Sequence, residues 1–309
     1  MGTGLPETVG SHYAACGTNA PGTLAPSTLA PSTLAPGTMA PWHVVTELAD
    51  PRIALYRSVS DPELARSHGL FVAESRLVVR RVLEDPRYRI RSLLLNDAAH
   101  RDLAPLVAGL DPSIPVFGCS TDDFRAITGF DIHRGCLALV ERPAPAAVED
   151  VIVGAQRLVV LDGVANADNV GGVFRNAAAF GADAVVLSPD SGDPLYRKAI
   201  RTSMAAVLRV PFARSREWPA DLNRIRDAGL TLVALTPSRA AEPIDAFAKR
   251  AAGRGLALVL GEEGAGVTPT VASAADASVR IPITDDIDSL NVAVAAGIAL
   301  YRLRPSRLA

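Results

Sequence analysis

Two stretches of the chain alternate short apolar runs with helix-like segments, and a Pro- and Ala-rich break separates them. From Trp42 the runs are GLFVAES (69–75), RLVVRRVLED (76–85), IRSLLLND (90–97), PVFGCS (115–120) and GCLALVERP (135–143). They predict a small α/β domain over 42–142. Pro143, Pro145 and their Ala and Val neighbours give no turn of amphipathic helix, so 143–155 is read as a linker. Over 156–309 the runs are RLVVLDGV (157–164), a helix from about 170, AVVLSP (184–189), a helix near 194–208, LTLVALTP (230–237), LALVLGEEG (256–264), ASVRIPI (277–283) and a closing helix from about 290. These strands are continuously apolar rather than alternating, the pattern of parallel strands buried on both faces. The second domain is therefore expected to be an open α/β sheet with its ligand site at the carboxyl ends of the strands.

The first 41 residues follow neither period. They carry one charge, Glu7, and a five-residue repeat from Leu24: LAPST, LAPST, LAPGT, then MAP. Repeated Pro with small residues favours extended, solvated chain, so 1–41 is read as a disordered tail. No aromatic or basic anchor interrupts the repeat as a partner-binding arm would require, and Met39 offers an alternative start.

Charge narrows the function classes. The chain has 31 basic and 33 acidic residues in 309, a net charge of −2. That excludes a polycationic nucleic-acid coat, so any anion-binding face must be local. Only Lys198 and Lys249 are lysine; the other basic residues are arginines, whose planar fork suits phosphate and carboxylate. Cys16, Cys119 and Cys136 have no C-x-x-C spacing, which suggests neither a disulfide framework nor a thiolate metal site and fits a reducing cytoplasm. No signal-peptide pattern and no apolar run of about 18 residues predicts a membrane span.

Three strand exits in the second domain carry unusual residues. In DGVANADNVGGVFRNAAAFG (162–181), Val173, Ala177 and Phe180 form a core-facing stripe, and Arg175 lies about 200° from Val173, away from the core. Asn169 is placed just before the helix, as a cap, and Gly171 and Gly172 allow close approach of backbone. A capped helix with a surface arginine is the plain alternative. In LVLGEEGAGV (258–267), Gly261, Gly264 and Gly266 frame Glu262 and Glu263. This is neither a P-loop nor a dinucleotide fingerprint, and reads as a cofactor cradle or a tight turn. In IPITDDIDSLNVAVAAGIALYRL (281–303), Ser289 and Asn291 open a helix of small and apolar residues. Asp285, Asp286 and Asp288 lack a further ligand to complete oxygen coordination, so no metal is expected.

Together the Asn-x5-Arg block, the G-x-E-G-x-G loop and the I-P-x7-L-N helix start resemble the three motifs of the SpoU-type RNA ribose 2'-O-methyltransferases, in the SPOUT superfamily of knotted methyltransferases. The resemblance covers about 157–303. It implies a trefoil-knotted α/β domain that binds S-adenosyl-L-methionine and works as a homodimer. By motif position it makes Asn169 and Arg175 the first-motif catalytic pair, Glu263 the second-motif acid, and Ser289 and Asn291 the third-motif polar pair. Cofactor contacts are implied for Leu235, Thr236, Gly261, Ile281 and Leu290, and Asp285 stands where relatives often carry glycine. The first domain resembles a ribosomal-protein-like RNA-binding unit, with Glu74-Ser75 where the family form more often reads Glu-Gly. Arg76, Arg80 and Arg81 flank its helix.

The family role for Arg175 is general base. An arginine pKa above 12 leaves the alternative that it stays charged and stabilises the developing alkoxide. In the implied dimer Arg175 reaches the other protomer's site. Arg197, Lys198 and Arg201 are read as a phosphate comb for RNA. An auxiliary domain ahead of the catalytic one favours ribosomal over transfer RNA as substrate. A resistance-type modification of large-subunit rRNA is a variant of that reading, and a non-catalytic assembly factor is the rival from another class.

Overall fold

In a computed structural model, which describes residues 42–45, 47, 49–57, 59–128 and 135–304, the apolar runs become two separate sheets. The tail expected to be disordered lies outside the described residues. The first sheet holds β1 (Trp42–Val44), β2 (Leu70–Glu74), β3 (Ile90–Asn96), β4 (Val116–Cys119) and β5 (Cys136–Glu141), in the order β1-β4-β3-β5-β2. It is mixed: β5 runs antiparallel to both β2 and β3, while β3 with β4 and β4 with β1 are parallel. The Arg76–Glu84 and Asp97–Ala108 helices bury Val78, Val79, Val82, Leu103 and Val107. Asn96 starts the second of these by accepting the Ala99 amide at 2.9 Å, which satisfies one orphan donor of the first turn.

The second sheet contains β6 (Arg157–Asp162), β7 (Ala184–Leu187), β8 (Phe212–Arg214), β9 (Thr231–Leu235), β10 (Glu242–Pro243), β11 (Leu256–Gly261) and β12 (Ala277–Arg280). Its order is β10-β12-β9-β11-β6-β7-β8, and every pairing is parallel, as the continuous apolar runs require. All six residues of both β6 and β11 are buried, because helices cover both faces.

Three local expectations are corrected. Within the expected linker 143–155, Ala146 bridges to Ala213 of β8, and a Val148–Ile152 helix sinks Val148 and Ile152 into the cluster on one face of the sheet. The helix expected near 194–208 is two pieces, Arg197–Thr202 and a 3-10 turn Ala206–Leu208, broken where Met204 and Ala205 take positive φ of 52° and 65°. The first-motif helix spans Ala167–Ala179, so Asn169 lies inside it; the cap is Asn166, whose side chain accepts the amides of Asp168 and Asn169 at 2.8 and 3.4 Å.

Candidate active site

The carboxyl edge of the second sheet gathers the three motif segments. β11 ends on Gly261, and the chain folds straight back, with Glu262 bridging to Gly266 and the Gly266 amide donating to the Glu262 carbonyl at 2.8 Å. A Cβ on Gly261 would stand 2.0 Å from the Gly266 carbonyl carbon, so only glycine permits the return. Asp162, 2% exposed at the end of the neighbouring β6, accepts the Thr268 amide at 2.7 Å and pins the far end of the loop. Sequence reasoning missed this residue; its signal was an acid closing an otherwise apolar run.

One polar residue from each of the three motifs, Asn169, Glu263 and Asn291, meets the others in one chain of hydrogen bonds. Asn291 caps the Val292–Arg302 helix, its Oδ1 accepting the Ala293 and Val294 amides at 3.0 and 3.2 Å. With its carbonyl oxygen fixed this way, its Nδ2 donates to Asn169 Oδ1 at 2.9 Å and to Glu263 Oε1 at 2.5 Å. Glu263 Oε1 also accepts the Val292 amide at 3.4 Å. Asn169 is 8% exposed, inside its helix, and acts through Asn291 rather than as the expected cap. Asn176, also unforeseen, donates from Nδ2 to the Ala293 carbonyl at 2.7 Å and ties the two helices about two turns further along the first of them.

Beside this chain a cavity of ≈ 690 Å³, open mouth included, is lined by Leu235, Thr236, Gly261, Glu263, Ile281, Ser289 and Leu290 among others. All five expected cofactor contacts therefore line one space, joined by two of the expected polar residues. Its walls are apolar with a few polar groups at the rim, the usual character of a small-molecule site. Apolar Leu235, Ile281 and Leu290 suit a flat heteroaromatic ring, the backbone turns at Gly261 and Gly264 allow close approach, and the Glu262–Glu263 pair suits a positively charged ligand. Ser289 is exposed at the mouth. Asp285, where glycine was noted in relatives, forms an exposed ion pair with Arg239. Among the described residues no cluster of His, Cys, Asp or Glu could hold a metal ion.

Arg175 stands apart from this cavity. It is exposed and lines a second, shallower cleft with Gly172, Asn176, Thr202, Val294, Ile298 and Tyr301. Within the chain the first-motif pair is thus divided: Asn169 joins the hydrogen-bond chain beside the cavity and Arg175 lines the cleft.

The expected phosphate comb is also divided. Arg197 is used internally: its amide donates to Asp61 Oδ2 at 2.9 Å, its Nη2 donates to the Val59 carbonyl at 3.0 Å, and its Nε lies 2.9 Å from Asp61 Oδ1. Lys198 pairs with Asp168 at 2.9 Å, and Thr202 donates to the same carboxylate at 2.8 Å. Lys198 and then Thr202 hold the Asp168 carboxyl below its usual range. Lys198, though paired with Asp168, and Arg201 are solvent-facing. Arg214 was not foreseen; its guanidinium donates to the Ser188, Pro189, Ser191 and Gly192 carbonyls at 2.7 to 3.1 Å and holds the loop that leads into the basic helix.

The model of the SpoU rRNA Methylase family matches residues 156–301. A protein of Mycobacterium tuberculosis named an uncharacterized tRNA/rRNA methyltransferase is 37% identical over 256 residues, covering 82% of this chain and 88% of its own. The 23S rRNA (guanosine-2'-O-)-methyltransferase RlmB of Nitrosomonas europaea is 31% identical over 243 residues, 76% of this chain and 91% of its own. The crystal structure of an AdoMet-bound rRNA methyltransferase from Sinorhizobium meliloti superposes with a TM-score of 0.72 at 24% identity, covering 85% of this chain and 97% of that one, and shares the fold.

Proposed function

From the premise that the chain belongs to the SpoU rRNA methylase family, we propose that it transfers the methyl group of S-adenosyl-L-methionine to a ribose 2'-hydroxyl of large-subunit ribosomal RNA. The observation that carries this reading is the hydrogen-bond chain Asn169–Asn291–Glu263, which joins all three motifs at the wall of a cavity lined by the five expected cofactor contacts. The RlmB relative supports the substrate class, and the S. meliloti protein, which shares the fold, is AdoMet-bound.

When bound, the cofactor supplies an electrophilic methyl carbon on a sulfonium. The chain's own residues then have separate tasks. Leu235, Ile281 and Leu290 exclude water from an apolar ring, while Thr236 and the turn at Gly261 set the cavity's floor and wall. Asn291 and Glu263 hold the third-motif helix start against the second-motif loop, which fixes Ser289 at the mouth where a ribose enters. Transfer needs the attacking oxygen, methyl carbon and sulfur in line, so this rigidity is itself catalytic.

Arg175 serves a second copy of the chain. Its cleft displays Val294, Ile298 and Tyr301, and a homodimer covering that face carries Arg175 of one protomer to the cavity of the other. There the guanidinium, a permanent cation exposed in the single protomer, stabilises the alkoxide that develops as the 2'-hydroxyl proton passes to water, together with the adjacent phosphate. A trefoil knot accounts for the convergence of the 235–237, 260–266 and 281–292 segments on one cavity. The first domain, with Lys198 and Arg201, holds the RNA.

The test is transfer of radiolabelled methyl from S-adenosyl-L-methionine to separately purified rRNA and tRNA by wild type and Arg175→Ala. Label in rRNA, lost in the variant, is expected. Label in tRNA alone would move the substrate class, and cofactor binding with no label in either RNA or in ribosomal particles would turn the reading to a non-catalytic assembly factor.

A further inference from the structure

The segment 193–209 is held by the first domain at both ends. At its start, Arg142, which follows β5, pairs with Asp193 at 2.6 Å, and Asp61 and Val59 take Arg197 as described above. At its end, the Leu208 carbonyl accepts from Tyr88 Oη at 2.9 Å and from Arg87 Nη2 at 3.0 Å. Most of these contacts are sheltered: Asp61, Arg142, Asp193 and Arg197 side chains are 19 to 26% exposed, and burial pushes the Tyr88 hydroxyl up to about 12, while Arg87 reaches Leu208 from the surface. Between the two ends the Arg197–Thr202 helix rests against β2, and Phe71 and Ala73 belong to the same buried cluster as Leu195, Ile200 and Leu208.

The opposite side of this segment is fixed to the first-motif helix. Asp168 holds Lys198 and Thr202, and Gly171 lies so close that a Cβ there would stand 2.5 Å from the Ala199 carbonyl oxygen. Relative motion is the default for domains in one chain unless their interface is large and apolar. Here one apolar core runs through the junction and polar contacts close it at both ends.

We propose that the 193–209 segment is a specificity bridge: with Asp61, Arg142, Arg87 and Tyr88 as positioning residues, it fixes the distance between the RNA element bound by the first domain and the ribose presented at the cavity. This rests on the methyltransferase reading and deepens it by naming the substrate class. The substrate is a folded RNA contacted at two points a set distance apart, and a short single strand that reaches only the cavity is selected poorly. Arg197 belongs to this bridge rather than to the phosphate contacts, which leaves Lys198 and Arg201 facing the RNA from a helix that cannot shift.

The experiment uses the full-length protein and cuts the bridge at either end: Asp61→Asn, and Tyr88→Phe together with Arg87→Gln. The readouts are hydrogen exchange of the 197–202 amides, cofactor affinity, the position of methylation on a folded rRNA transcript, and the rate on a short oligonucleotide carrying the same target. Both variants are expected to exchange faster in 197–202, to keep wild-type cofactor affinity and oligonucleotide rate, to lose roughly tenfold or more in kcat/KM on the transcript, and to spread label to neighbouring riboses. Methylation confined to the wild-type nucleotide at the wild-type rate would overturn the proposal. So would unchanged exchange in 197–202, or an equal loss on transcript and oligonucleotide, which marks general damage. If wild type itself labels no RNA, the fault lies with the methyltransferase reading, and the inference falls with it.

Discussion

Ser75 joins β2 to the Arg76–Glu84 helix at φ 90° and ψ 152°, a region that a side chain enters only at a cost of about 1 to 3 kcal/mol. Its hydroxyl makes no capping bond that would offset this. Its backbone is nonetheless held, with the amide on the Cys136 carbonyl at 3.2 Å and the carbonyl on the Val79 amide at 2.8 Å. Ser75→Gly is therefore expected to stabilise the protein by about 1 kcal/mol after the extra unfolded-state entropy of glycine is charged against the relief. Thermal unfolding measures this, and an unchanged or lower midpoint would mean that the turn is not strained. The departure from Glu-Gly was legible in the sequence, but its cost was not, because a cost needs an angle. Asn169 is the matching case in the site. Its identity was readable from the Asn-x5-Arg spacing, yet its expected role as cap belongs to Asn166, three residues earlier, since either asparagine satisfies a helix start on paper.

Between elements, the closest approach that matters is that of the Ala167–Ala179 and Arg197–Thr202 helices. A methyl group on Gly171 would meet the Ala199 carbonyl oxygen at 2.5 Å and Ala199 Cα and Thr202 Cβ at 3.0 Å, two of the three being backbone that cannot rotate aside. Gly171→Ala is expected to cost about 1 to 3 kcal/mol and to loosen the Lys198–Asp168 pair. RNA-dependent turnover should then fall more than cofactor affinity, because no residue of this contact lines the cavity. A variant with wild-type stability and turnover would show that the helices can separate freely. The same region explains what pattern reading lost. No glycine or proline marks the break after Thr202, where Met204 and Ala205 turn left-handed, so the apolar spacing ran on as one helix. The Val148–Ile152 helix and three-residue β8 were lost for another reason: each is shorter than the window over which a period can be seen.

For the whole molecule, the parallel sheet was legible because strands buried on both faces must be apolar throughout, whereas strand order depends on how crossovers pack and leaves no period. Arg197 was misread for a related reason: an arginine beside a proposed site looks the same in sequence whether it faces phosphate or a neighbouring domain. The closing helix carries a signal of the same long range. Val292, Ala296, Ala299 and Leu300 are buried against the protomer, yet Val294, Ile298 and Tyr301, at i, i+4 and i+7, are 52, 37 and 49% exposed beside Arg175. A helix apolar on two faces needs a second covering, which the proposed homodimer would supply. Ile298→Arg is expected to give a monomer by light scattering that binds the cofactor within about twofold of wild type and transfers methyl at least roughly a hundredfold more slowly. Loss of activity alone does not separate a missing partner from local damage, so the decisive arm mixes two inactive proteins, Arg175→Ala and Asn291→Ala. If Arg175 acts across the dimer, one site in each mixed dimer combines an intact cavity from the first with an intact arginine from the second, and activity returns. If it acts within its own protomer, no mixed site is complete and none returns; that result, or full turnover by the Ile298→Arg monomer, would place Arg175 back in its own site.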